Sequence, residues 1–364
     1  MSPSEAQAAA SRPGEEERGA RFLAEIREQP AALERLLARS GEIASAAAEM
    51  RRRGAALVRM VGHGSSDNAA SYGVYAFGLL PGWTAVRDSI SLIVYYGASL
   101  DLRGCTVLAL SQSGRTPDVV EHVRRARRRG ALTVALTNDA GSELAAAADV
   151  CLPLDAGPER AVAATKTYTN QLAALFLLAA HAAGEGGRAE DDLRATAALL
   201  RGLVAEVERT VAPAALPFAF AGRMFVVGRG CELATAKEIA LKLLETCRIA
   251  AEPLTATELV HGPVAALDPL FPVWAIASGD ETLPAVLDAV ARARAAGATL
   301  VASGSAAELV EGADLVLPVP RPPRPLLSPL LSVVPGQLFA WALSRARGLD
   351  PDAPRGLSKV TLAR

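Results

Sequence analysis

Short apolar runs bounded by glycine or small polar residues alternate with longer segments in which alanine, arginine and glutamate recur. Thr106-Val107-Leu108-Ala109-Leu110 has no polar alternation, as expected of a strand in a parallel sheet covered on both faces. Residues 119–129 and 283–295 carry a helical pattern instead. The chain also repeats itself. Val58-Arg59-Met60-Val61-Gly62-His63-Gly64 is echoed by Met224-Phe225-Val226-Val227-Gly228-Arg229-Gly230, and Val107-Leu108-Ala109-Leu110-Ser111 by Val273-Trp274-Ala275-Ile276-Ala277. Thr133-Val134-Ala135-Leu136-Thr137 pairs with Thr299-Leu300-Val301-Ala302-Ser303, and Ala148-Asp149-Val150-Cys151-Leu152-Pro153 with Ala313-Asp314-Leu315-Val316-Leu317-Pro318. Every pair is offset by about 165 residues in the same order. The predicted fold class is α/β, with two doubly wound parallel-sheet subdomains in tandem. Residues 21–50 read as two helices broken near Pro30, preceded by a disordered stretch over 1–19.

A length of 364 residues fits two units of this kind. The expected division is an N-terminal disordered or helical segment (1–44), a first subdomain (45–200), a second (201–345) and a C-terminal tail (346–364). Although 51% of residues are apolar, no uninterrupted run approaches the roughly 18 that span a bilayer, so a soluble protein is expected. Met1-Ser2-Pro3-Ser4-Glu5 lacks the basic and apolar regions of a secretory signal, which predicts a cytoplasmic location. A net charge of -1 with both signs interspersed disfavours nucleic acid and membrane surfaces as partners. The four cysteines, Cys105, Cys151, Cys231 and Cys247, have no metal-ligand spacing and read as structural thiols. No nucleotide or flavin signature occurs, so the expectation is chemistry without metal or cofactor.

The chemistry starts where the strand ending at Leu110 runs out. Ser111-Gln112-Ser113-Gly114-Arg115-Thr116 places three hydroxyls, an amide and a glycine before a helix start, the composition of a phosphate cradle. It lacks the Gly-Lys-Ser/Thr of a P-loop and the three glycines of a dinucleotide fingerprint, which favours a small phosphate ester. A second strand end, at residues 62–68, falls on the same face. The copy of the cradle in the second half, Ala277-Ser278-Gly279-Asp280-Glu281-Thr282, carries two carboxylates that would repel phosphate. That half has its own cluster: Glu238, Lys242 and Glu245 share one helical face at i, i+4, i+7, and His261 follows in Thr257-Glu258-Leu259-Val260-His261-Gly262-Pro263. Carboxylate, lysine and histidine near a phosphate pocket suit proton transfer on a sugar phosphate.

These motifs, with Gly64-Ser65-Ser66, Ala156-Gly157-Pro158-Glu159, Ala163-Ala164-Thr165-Lys166 and the closing Pro354-Arg355-Gly356-Leu357-Ser358-Lys359-Val360-Thr361, resemble the double SIS (sugar isomerase) family. The likeness is to the isomerase half of glucosamine-6-phosphate synthase and to stand-alone SIS-type glucosamine-6-phosphate deaminases. It implies two flavodoxin-like SIS subdomains and a hexose 6-phosphate or amino-sugar phosphate substrate. It further implies that Ser66, Ser111, Gln112, Ser113, Thr116, Val162 and Ala163 bind the sugar phosphate. Glu245 would shuttle the proton between C1 and C2 beside Lys242, His261 would assist ring opening from a neighbouring subunit, and Lys359 would approach the sugar carbonyl. A homodimer is the simplest arrangement that shares His261. Two departures stand out: Ala164 replaces a serine of the synthase pattern, and Asp88-Ser89-Ile90-Ser91 lacks its glutamate.

Residues 1–50 hold no N-terminal cysteine nucleophile and are too short for a glutaminase unit. The implied reaction is therefore conversion of glucosamine 6-phosphate to fructose 6-phosphate and ammonia. The alternatives are a deglycase or isomerase for another sugar-6-phosphate amine adduct and a non-catalytic sugar-phosphate sensor. Some residues carry plainer readings. His63 could contact the sugar or pair with backbone, and Glu159 and Lys166 could line the site or only pin their loop.

Overall fold

The computed structural model describes residues 18–54 and 56–359. The predicted disordered stretch lies almost wholly outside the described residues, as do Val360 and Thr361 of the closing motif. Five strands form the first sheet: β1 (Leu57–Val61), β2 (Thr84–Arg87), β3 (Cys105–Ser111), β4 (Leu132–Thr137) and β5 (Val150–Pro153). Five form the second: β6 (Arg223–Gly228), β7 (Ala250–Thr255), β8 (Val273–Ala277), β9 (Leu300–Gly304) and β10 (Leu315–Pro318). The orders are β2-β1-β3-β4-β5 and β10-β9-β8-β6-β7, all pairs parallel, so the second sheet repeats the first.

Strands β3 and β4 are buried at every position, which explains their unbroken apolar sequence. Their alternate residues serve two layers. Val107, Ala109 and Ala135 pack with Val119, Val120 and Val123 of the helix Pro117–Arg128. Leu108, Leu110 and Val134 enter a second core that also takes Val226, Trp274, Ile276 and Val301 from the other sheet. One apolar interior thus joins the inner faces of both sheets, and the helices Ser65–Leu79, Lys166–Ala183, Glu232–Cys247 and Ser328–Ala346 are among those that fill it. By length and composition alone, the segment Pro325–Ala346 is apolar enough to cross a membrane, but its whole apolar window is buried. The 30-residue helix Gly186–Ala215 links the two halves, and residue 200, the expected boundary, lies within it.

Near the N-terminus there are three helices, Ala20–Arg27, Gln29–Leu37 and Ser40–Arg52, rather than the expected two. Pro30 opens the second by occupying its first turn, where the missing N–H costs nothing. The edge strands β2 and β7 were not among the predicted runs: β2 is short and largely exposed, and β7 carries Pro253.

Candidate active site

In a sheet ordered 2-1-3-4-5 the chain leaves β1 and β3 in opposite directions, opening a crevice at their carboxyl ends. A cleft of about 450 Å³ lies there, lined by residues from both halves and from the C-terminal tail.

The cradle forms its floor. Ser111 ends β3, and Thr116 is the N-cap of the helix Pro117–Arg128, whose Pro117 presets the first turn. Ser111 Oγ lies 3.3 Å from Thr116 Oγ1 and accepts from the Gly114 N–H at 3.2 Å, while Ser113 Oγ accepts from the Arg115 N–H at 3.3 Å. The loop turns at Gly114, where φ is 62° and a Cβ would fall 2.1 Å from Ser142 Oγ. Arg115 turns away to Asp139, 3.2 Å off. On the other side Gly62 allows close approach, since a Cβ there would meet Ser66 Cβ at 2.9 Å and the Leu110 carbonyl at 3.0 Å. Ser66 is buried and accepts from Gln171 Nε2 at 2.9 Å. Two helix starts and their hydroxyls therefore converge on one floor, an arrangement whose N–H and O–H groups can hold an anion.

The helix Glu232–Cys247 crosses from the second half against Ser65–Leu79. Its Lys242 is wholly buried, with Nζ 2.7 Å from Glu245 Oε2, 3.3 Å from Glu238 Oε1 and 3.4 Å from Ser65 Oγ. Glu238, also buried, accepts from Ser65 Oγ at 2.8 Å and Asn68 Nδ2 at 2.9 Å. Burial alone would lower the Lys242 pKa, but the two flanking carboxylates hold it above its ordinary value. Of these three residues only Glu245 borders the cleft. Lys242 stands behind it, holding the Glu245 carboxylate from outside the cleft.

Lys359 borders the cleft from the tail, its Nζ 3.0 Å from Glu159 Oε2. Burial pushes the Glu159 carboxyl up, but Lys359, the Thr167 hydroxyl and the Thr165 N–H outweigh it and hold the pKa below the usual range. Glu159 also accepts from the Thr167 N–H at 3.1 Å, so it pins its loop and does not line the cleft. Lys166 points to the Pro158 carbonyl at 2.6 Å and to Glu28, the pinning role again. In the same loop Val162 and Ala164 border the cleft, whereas Ala163 is buried beneath them. The missing serine at 164 is thus a change in the wall itself.

His261 caps the helix Ala256–Val260, is exposed and does not border the cleft of its own chain. Sequence reasoning missed Tyr95, which lines the cleft after a one-turn helix and carried no pattern to mark it. It also misplaced the partner of His63, which is the side chain of Asp118, not backbone. The cysteines are packing groups. Burial raises all four thiol pKa values, that of Cys247 to about 11, and Cys247 Sγ is 3.2 Å from the Ala340 carbonyl.

Comparison with known proteins gives the same division of the chain. The profile of the SIS domain matches residues 45–181 and 218–344. A glutamine–fructose-6-phosphate aminotransferase (isomerizing) from Symbiobacterium thermophilum is 38% identical over 95% of this chain. The chain spans about 60% of that relative's length. Among solved structures, one provisionally described as a phosphosugar isomerase from Silicibacter pomeroyi DSS-3 superposes with a TM-score of 0.82 at 37% identity, covering 91% of this chain and 99% of that one. The C-terminal domain of glucosamine-fructose-6-phosphate aminotransferase from Francisella tularensis does so at 0.83 and 26% identity, covering 95% and 100%. Each matched SIS segment encloses one of the two parallel sheets, and together they take in most of the chain, which therefore belongs to the SIS-domain family and carries the domain twice.

Proposed function

We propose that the cleft binds a hexose 6-phosphate bearing nitrogen at C2 and isomerises it, releasing ammonia from glucosamine 6-phosphate to give fructose 6-phosphate. The observation that carries this reading is a carboxylate, Glu245, and an ammonium, Lys359, facing one cleft whose floor is the hydroxyl cradle. A sensor needs the cradle alone; a proton-transfer enzyme needs all three.

In this reading Ser66, Ser111, Gln112, Ser113 and Thr116 hold the phosphate and so place C1 and C2 under Glu245. After ring opening, Glu245 takes the proton from C2 and returns it to C1, leaving a C2 imine. Water adds to that imine and ammonia departs, so one water is consumed for each ammonia formed. Lys242 holds the Glu245 carboxylate in position, and Lys359 approaches the carbonyl, with imine formation to the keto sugar open to it. His261 of a second chain would serve ring opening.

The test is incubation with glucosamine 6-phosphate, following ammonia and fructose 6-phosphate together. Equimolar release is expected, with Glu245→Gln lowering kcat by at least 100-fold, the scale of a general base. Release no greater than that of the Glu245→Gln protein would refute the reading.

A further inference from the structure

The cradle end of the cleft contains one feature that the isomerisation leaves unused. His63 Nε2 lies 2.9 Å from Asp118 Oδ2, and both residues line the cleft. The pair ties together the two helix starts that form the cradle. His63 sits just before Gly64 and the helix Ser65–Leu79, and Asp118 is in the first turn of Pro117–Arg128, two residues after Thr116. Asp118 is largely buried, its side chain 11% exposed against 56% for the imidazole. Its second oxygen, Oδ1, is buried without a hydrogen-bond partner, so the carboxylate's one observed bond is to the ring.

We infer that His63, oriented by Asp118, is a further ligand of the substrate's phosphoryl group and makes the site selective for the phosphorylated sugar; this rests on the sugar-phosphate reading above. The cradle is otherwise built of hydroxyls, an amide and backbone N–H groups, all neutral. Lys359, the other cation-forming side chain on the described cleft wall, is held by Glu159. With one ring N–H given to Asp118, the remaining nitrogen of the half-exposed imidazole is free to meet a ligand. With hydrogen on both ring nitrogens, that nitrogen donates to a phosphate oxygen while the other stays on Asp118. Asp118 is a positioning residue in this arrangement: it touches His63, not the phosphate.

Calorimetric titration with inorganic phosphate and with glucosamine 6-phosphate tests this without depending on turnover, and steady-state kinetics adds a second readout. Wild type, His63→Ala, His63→Gln and Asp118→Asn are compared after their melting temperatures show that each is folded. His63→Ala should weaken binding of both ligands about tenfold and raise KM by a similar factor, with kcat within about twofold. His63→Gln and Asp118→Asn should show smaller losses in the same direction. Wild-type affinity in His63→Ala, or a fall in kcat with KM and phosphate binding intact, overturns the inference and leaves the parent reading standing. A wild type that binds neither ligand overturns both.

Discussion

Glu25 has no part in the chemistry, yet it governs a wall of the cleft. It is buried on the helix Ala20–Arg27 and accepts from the backbone N–H groups of Arg160 and Ala161, just before Val162 and Ala164. Burial pushes its pKa up to about 7; the Arg160 N–H opposes that, Glu159 adds to it, and Lys166 and Lys359 oppose it. The folded value lies above the ordinary 4.5, so the stability this group contributes is full below pH 4.5 and is lost as pH rises through 7. A shift of that size corresponds to something on the order of 3 kcal/mol. Glu25→Gln keeps an acceptor for the Arg160 N–H but cannot ionise. Between pH 5 and 8 the melting temperature of wild type should fall relative to that of Glu25→Gln. Parallel curves for the two proteins would show that Glu25 does not titrate in this range.

At the level of elements, the turn that makes the cradle depends on one residue without a side chain. Gly114 has a left-handed φ and lies against Ser142 and Thr137, so Gly114→Ala meets both backbone strain and a clash. The strain alone costs about 1–2 kcal/mol, and the clash with Ser142 and Thr137 pushes on the turn whose Gly114 N–H is bonded to Ser111. Phosphate affinity is therefore expected to fall at least tenfold while the melting temperature drops by only a few degrees; unchanged affinity would mean that the loop is not the phosphate site. The same scale shows what sequence could reveal. The inner strands were legible because two-sided burial leaves an unbroken apolar signature, and the 165-residue repeat confirmed their order. Strands β2 and β7 repeat at a similar offset but lie at sheet edges, where burial is partial and proline is tolerated, so hydrophobicity does not mark them. At the cleft, Ser111–Thr116 and Glu245 were visible as motifs. The partners of Glu159, His63 and Glu25 were not, because those contacts span 200, 55 and 135 residues of sequence and only the packing brings them together.

Across the whole molecule, the first described helix and the segment that leads to Lys359 meet beside the cleft and act as one brace. Asp352 accepts from the Phe22 N–H at 2.7 Å and the Arg21 N–H at 3.1 Å, capping the first turn of the N-terminal helix from the far end of the sequence. Its carbonyl accepts from the Val162 N–H at 3.3 Å, Asp350 takes the Gly19 N–H at 3.2 Å, and Trp341 Nε1 donates to the Gly19 carbonyl at 3.1 Å. The tail that carries Lys359 is thus held by the helix that carries Glu25, and both hold the loop with Val162. Asp352→Ala should remove about 1 kcal/mol of capping and, by loosening the tail and loop together, lower kcat/KM for the amino-sugar phosphate several-fold with Lys359 still present. Lys359→Met acts differently, because it leaves the buried Glu159 without its cation and costs stability as well as chemistry. Adding Glu159→Gln to Lys359→Met should restore much of the melting temperature and none of the turnover. If Asp352→Ala keeps full kcat/KM, the brace is only structural; if Lys359→Met with Glu159→Gln regains turnover, Lys359 has no place in the reaction.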